Sequence, residues 1–130
     1  MDVLILRHGE AGKKIAAGSS DFRRPLTAAG EKEITEIAKS FKKIGIKVDS
    51  ILTSPLKRTQ QTADIVAKEL RAQKKMRQLK ELSPEGKRSD FYRTLASFKN
   101  DSSILVVGHN PYLSEMVNEM VYGSQERWIS

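Results

Sequence analysis

The sequence predicts an α/β fold, a three-layer α/β/α sandwich around a mostly parallel central sheet. Two observations carry this. Short apolar runs alternate with segments of helical periodicity along the 130 residues. Two of the runs, Val3-Leu4-Ile5-Leu6 and Ile104-Leu105-Val106-Val107, are continuously apolar, the pattern of strands covered on both faces of a parallel sheet. Both stop at a glycine-containing turn with a histidine, Arg7-His8-Gly9-Glu10 and Gly108-His109-Asn110-Pro111, and these are the only two histidines in the chain. In open α/β sheets ligands bind beyond the carboxyl ends of the strands, so two histidines far apart in sequence can face one pocket. A catalytic pair is the functional reading of that placement; two unrelated turn histidines are the plain one.

The elements follow in order. After the first strand, residues 11–26 hold Gly12, Gly18, Ser19, Ser20 and Pro25 without apolar periodicity, a loop of the length that often carries function. Thr27 is placed to cap a helix whose inward stripe is Ile34, Ile37, Ala38, Phe41 and Ile44, with Gly45 ending it. Ser50–Thr53 reads as a second strand. Ser54-Pro55 opens the next helix, Ser as cap and Pro at the first position, and Leu56–Leu70 repeats apolar residues at 56, 63, 66, 67 and 70, with Arg58 in its first turn. A brief strand around 77–79 and a loop over Leu82–Gly86 come next, then a third helix capped by Ser89 with Phe91, Leu95 and Phe98 inward. Beyond the fourth strand, Asn110-Pro111 repeats the cap-proline signal before a helix with Leu113, Met116, Val117, Met120 and Val121 on its stripe and Gly123 as its stop. Arg127-Trp128-Ile129 then has the look of a strand beginning. No repeat, low-complexity tract or linker divides the chain, so residues 1–130 are expected to form a single domain.

Composition narrows the chemistry. With no cysteine and two histidines, disulfides, Cys-ligated metals and a His-based metal site are all outside expectation, and neither metal nor cofactor is predicted. The first six residues are too short and, at Asp2, too acidic for a secretory signal, and no apolar stretch approaches the ~18 residues of a membrane span. A soluble cytoplasmic protein without membrane partners is expected. Lys and Arg outnumber Asp and Glu by 23 to 16, a net charge of +7 that favours anionic partners. The densest basic stretch, Arg71 to Arg77, lacks interleaved aromatics and reads as solvated surface, so nucleic acid is not the expected partner.

Three strand ends deliver polar groups to one edge: Arg7 and His8, Ser54 and Arg58, His109 and Asn110. Histidines among arginines suit a phosphoryl group better than a metal, because guanidinium binds phosphate oxygens bidentately and stays charged. Helix N-termini after Ser54 and Asn110 add anion affinity. A neutral imidazole is a nucleophile, and flanking arginines oppose a second positive charge on His8. His109 is suited to hydrogen-bond the transferring oxygens.

These three segments, Arg7-His8-Gly9-Glu10, Ser54-Pro55-Leu56-Lys57-Arg58-Thr59-Gln60-Gln61-Thr62-Ala63 and Val107-Gly108-His109-Asn110-Pro111, resemble the signatures of the histidine phosphatase superfamily, of phosphoglycerate mutase-like fold. The small size and Arg24-Pro25-Leu26-Thr27 resemble its SixA-type branch, the phosphohistidine phosphatases. The resemblance implies that His8 is the phosphorylated nucleophile, that Arg7, Arg58 and His109 bind the phosphoryl group, and that Arg24 completes the pocket. Arg23 is an alternative to Arg24, and either is also readable as surface charge. Larger members protonate an alcohol leaving group with an acid placed before the third helix; Glu81 and Glu85 are the candidates here, and both are equally ordinary solvated glutamates. Asp21 is a candidate to orient Arg24 or the leaving group, or a plain loop aspartate. The family pattern continues past Gly123 into a further strand, so the sheet is expected to be short at its C-terminal edge.

The implied activity is a metal-independent phosphatase working through a phosphohistidine intermediate on a phosphohistidine protein, with inorganic phosphate as product. A phosphatase or mutase of small phosphate esters is the alternative within enzymes. A basic polyanion-binding module with a vestigial site is the alternative outside them.

Overall fold

The computed structural model describes residues 1–12 and 21–129. Among them, Asp2–Arg7 (β1), Ser50–Thr53 (β2), Met76–Gln78 (β3) and Ser103–Gly108 (β4) form a wholly parallel sheet in the order β1-β4-β2-β3. The helices are Ala28–Lys43 (α1), Lys57–Glu69 (α2), Arg88–Leu95 (α3) and Tyr112–Ile129 (α4). α1 and α2 cover one face of the sheet; α3 and α4 cover the other. The core is accordingly split in two by strand alternation. Leu105 and Val107 of β4 and Ile51 of β2 pack with Ile34, Ala38, Ala63 and Val66, whereas Ile104, Val106 and Leu52 pack with Phe91, Leu95, Leu113 and Met116. β4 lies between β1 and β2 and buries Ile104 to Val107 almost completely, which is why its apolar run is unbroken.

The order places the ends of β1, β4 and β2 side by side, because β4 returns from the far edge to insert between the first two strands. His8, His109 and Ser54 follow these three neighbouring ends. Packing of the first turn against α1 is tight: a Cβ on Gly9 would meet Ile34 Cγ1 at 2.8 Å, and one on Gly30 would meet the Glu10 carbonyl oxygen at 2.2 Å. Thr27 caps α1 by accepting from the Gly30 amide at 3.0 Å.

Several expectations shift. Ser54-Pro55 forms a turn before α2, and the helix opens at Lys57; Ser54 Oγ accepts from the Leu56 amide at 3.2 Å. Ser89 lies inside the first turn of α3, not at its cap, because helical geometry already starts at Arg88. Ile44, placed on the inward stripe by periodicity, is 73% exposed, since α1 ends at Lys43 and the chain turns away. Val117 and Val121 are exposed too: among the described side chains α4 packs on this face of the sheet through Tyr112, Leu113, Met116 and partly buried Met120. α4 passes through Gly123 and over Arg127–Ile129, where a stop and a strand were expected. A lone helical glycine costs only ~1 kcal/mol relative to alanine, and the Gln, Glu and Arg that follow are good helix formers. The brief third strand covers 76–78. The loop reading at Gly18, Ser19 and Ser20, and Ser130, lie outside the described residues.

Candidate active site

His8 follows β1 directly, and its amide extends the ladder by donating to the Gly108 carbonyl at 3.1 Å. The ring is fixed by Nδ1, 2.6 Å from the Gly9 carbonyl oxygen. A carbonyl only accepts, so Nδ1 carries the proton and Nε2 presents its lone pair. The Gly9 amide in turn donates to Thr62 Oγ1 at 3.2 Å, and Thr62 donates to the Arg58 carbonyl at 2.7 Å, tying the turn to α2. Burial lowers the His8 pKa below 6.5, and Arg58, Arg7 and Arg24 lower it further against the opposing bond to Gly9. At neutral pH His8 is therefore an uncharged imidazole with a free Nε2.

His109 stands beside it, the ring centroids 5.2 Å apart at 61°. It is 3% exposed, and its Nε2 lies 2.8 Å from Ser54 Oγ. Burial, with Arg58 and His8 nearby, holds its pKa down to about 4. Both rings are thus neutral where two cations would repel each other and the arginines.

The arginines come from three elements. Arg7 is the last residue of β1 and exposed toward the cavity. Arg58, buried in the first turn of α2, donates from Nη1 to the Asp21 carbonyl at 2.9 Å and from Nη2 to Asp21 Oδ2 at 3.2 Å. Arg24 donates from Nη1 to the Gly12 carbonyl at 3.0 Å; its Nη2 is 3.1 Å from Asp21 Oδ1, an ion-pair contact without hydrogen-bond alignment. Asp21 thereby holds both guanidinium groups across the loop. Arg7, His8, Arg24, Arg58, His109 and Asp21 line one cavity of about 400 Å³. Arg23 is exposed and is not among its lining residues.

Buried polar atoms without a partner concentrate here. Arg24 Nε, Arg58 Nε and His109 Nδ1 have no hydrogen-bond partner among the described residues. Buried polar atoms are rarely left without a partner in a folded protein, and two guanidinium donors among them at one cavity suit an anion. No group of three or more His, Cys, Asp or Glu suited to a metal occurs among the described residues.

Glu81 and Glu85 are not brought into this cavity. Both line a neighbouring groove of about 600 Å³ between the segment 80–87 and α3, and Pro84 alone of that segment reaches the His8 cavity. Glu81 Oε2 accepts from Thr94 Oγ1 at 2.6 Å, which lowers its pKa and holds it ionised. Sequence reasoning did not single out Thr62 or the link from Ser54 to His109. A signal existed: Ser54, Arg58 and Thr62 recur at intervals of four, one face of a helix and its approach. Glu10, exposed beside the cavity, was read only as part of its motif.

Comparison with known proteins shows the family and the fold. The family model of the histidine phosphatase superfamily (branch 1) matches residues 3–85. The phosphohistidine phosphatase SixA of Escherichia coli (strain K12) is 33% identical over 125 residues, covering 95% of this chain and 76% of that protein. A solved structure of the protein histidine phosphatase SixA complexed with tungstate superposes with a TM-score of 0.83 at 33% identity, over 92% of this chain and 76% of that one. The phosphoglycerate mutase of Plasmodium falciparum shares the fold, with a TM-score of 0.67 at 23% identity over 90% of this chain and 66% of that one.

Proposed function

This chain belongs to the histidine phosphatase superfamily, and from that premise we propose that it is a metal-independent phosphatase that removes phosphoryl groups from histidine of a cytoplasmic protein. The observation that carries the reading is the set of unpartnered buried nitrogens, Arg24 Nε, Arg58 Nε and His109 Nδ1, on residues lining the same cavity as His8, whose Nδ1 is held by the Gly9 carbonyl. Tungstate, bound by the structural relative, is a tetrahedral oxyanion of the kind such donors suit.

In the first step His8 Nε2 attacks phosphorus, and the bond from phosphorus to the substrate imidazole nitrogen breaks as the new bond forms. The electron pair leaves on that nitrogen, which takes a proton from solvent. Arg7, Arg58 and Arg24 offset the charge on the phosphoryl oxygens, and His109 donates to one of them. Water then attacks phosphorus, the bond from phosphorus to His8 Nε2 breaks, and inorganic phosphate leaves as the water's proton passes to solvent, restoring neutral His8.

The substrate class is supported by the similarity to the E. coli phosphatase and by the acid candidates. Glu81 is ionised and bonded to Thr94, and both it and Glu85 line the neighbouring groove, so neither of these two candidates is placed to protonate an alkoxide. An imidazole leaving group accepts a proton far more readily and has less need of one.

Rapid quench with a carrier protein labelled on phosphohistidine tests this, in parallel with small phosphate esters. Acid-labile label mapped to His8, with phosphohistidine turned over faster than the esters, is the expected result. Label on another residue overturns the mechanism; preference for the esters overturns the substrate class.

A further inference from the structure

The geometry points to Ser54 as a positioning residue that sets the tautomer of His109, so that a proton on Nδ1 faces the phosphoryl site. The role of that proton rests on the phosphatase reading; the tautomer itself does not.

The argument is a count of donors and acceptors at two buried groups. Ser54 is fully buried and has one hydroxyl hydrogen to place. Its oxygen already accepts from the Leu56 amide at 3.2 Å, and its other described partner is His109 Nε2 at 2.8 Å. Two arrangements are open, because His109 is held neutral at physiological pH by burial and by Arg58 and carries a single ring proton.

If the proton sat on Nε2, it would donate to Ser54 Oγ, leaving the serine hydrogen without an acceptor and the Nδ1 lone pair without a donor. If the proton sits on Nδ1, the serine donates to Nε2 and a single group is left over, the Nδ1–H. Leaving two buried groups unmade costs more than leaving one. The remaining donor is the atom found buried and without a partner at the cavity, where a phosphoryl oxygen completes it. An Nδ1 lone pair in the same place would repel that oxygen. Ser54 is the residue before Pro55, and the turn that keeps it out of α2 aims its hydroxyl back at the end of β4.

The test is nitrogen NMR of the ring at neutral pH, in which the protonated and unprotonated nitrogens of a neutral imidazole differ widely in shift. Wild-type protein is expected to show His109 protonated on Nδ1. Ser54→Ala is expected to move the proton toward Nε2 and to lower kcat on phosphohistidine protein by about tenfold or more, with KM little changed, because a mistimed donor is lost only where charge builds. Ser54→Thr, which keeps the hydroxyl, should restore both.

Protonation on Nε2 in the wild type overturns the proposal without any variant, as does an unchanged tautomer in Ser54→Ala. An Nδ1-protonated His109 in a protein that turns over neither phosphohistidine nor small esters upholds the tautomer and overturns the phosphatase reading.

Discussion

Acid should destabilise this protein through one imidazole, and the amount follows from its burial. His109 has a pKa of about 4 in the fold against 6.5 in an unfolded chain. The folded pKa is depressed, so the unfolded state takes the proton first. The stability of neutral His109 is fully present above pH 6.5, falls as pH drops from 6.5 toward 4, and is gone below. At about 1.4 kcal/mol per pH unit the loss is about 3 kcal/mol. That is a large part of the 5–15 kcal/mol typical of a domain. His8, lowered in the same sense, adds to it. Urea unfolding at pH 7 and pH 4, for wild type and His109→Gln, isolates the effect. Glutamine keeps a partner for Ser54 and cannot be protonated, and every other group titrates in both proteins. Wild type should lose about 3 kcal/mol more than the variant between the two pH values. A difference under about 1 kcal/mol would refute the claim that His109 is neutral because it is buried.

Other perturbations test other parts of the site. Gly30→Ala drives a Cβ to 2.2 Å from the Glu10 carbonyl oxygen, a backbone atom two residues past His8, so thermal melts should show a loss of about 1–3 kcal/mol and assays a drop in turnover. Turnover should persist after exhaustive chelation; loss restored only by a divalent cation would contradict arginine as the source of charge neutralisation. Arg58→Ala removes a charge that lowers the His8 pKa, and since His8 must be neutral to attack, the acid limb of kcat/KM should move upward toward pH 6.5. Asp21→Ala frees both guanidinium groups it holds and should cut kcat/KM by about tenfold, whereas Glu81→Gln, outside the cavity, should leave kcat within about twofold.

What sequence reveals and what it hides divide along physical lines. Strands and helices were legible because burial imposes a period: two for strand faces, 3.6 for helix stripes, and none for β4, covered on both sides. Thr27 was legible as a cap because its hydroxyl answers a need three residues away. The stripe of α4 was misleading in part, since periodicity marks a face but not how much of it the sheet is wide enough to cover; Val117 and Val121 lie on the uncovered side. Gly123 misled because a glycine permits a stop without requiring one.

By itself the sequence determined which groups sit at strand ends, and hence that Arg7, His8, Ser54, Arg58, His109 and Asn110 share an edge. The tertiary structure decided the rest. Which strand ends are neighbours depends on β4 inserting between β1 and β2, and that insertion sets two rings 5.2 Å apart from positions 8 and 109. It separated Asp21 from Glu81 and Glu85, identical in prospect as charged residues near arginines or loops, by placing one in the cavity and two beside it. It also made Ser54 a partner of His109 across 55 residues. Local chemistry acts over three or four positions of chain and leaves a trace in the spacing of residues. The pairing of buried donors and acceptors acts through space, where only the folded sheet brings the partners together.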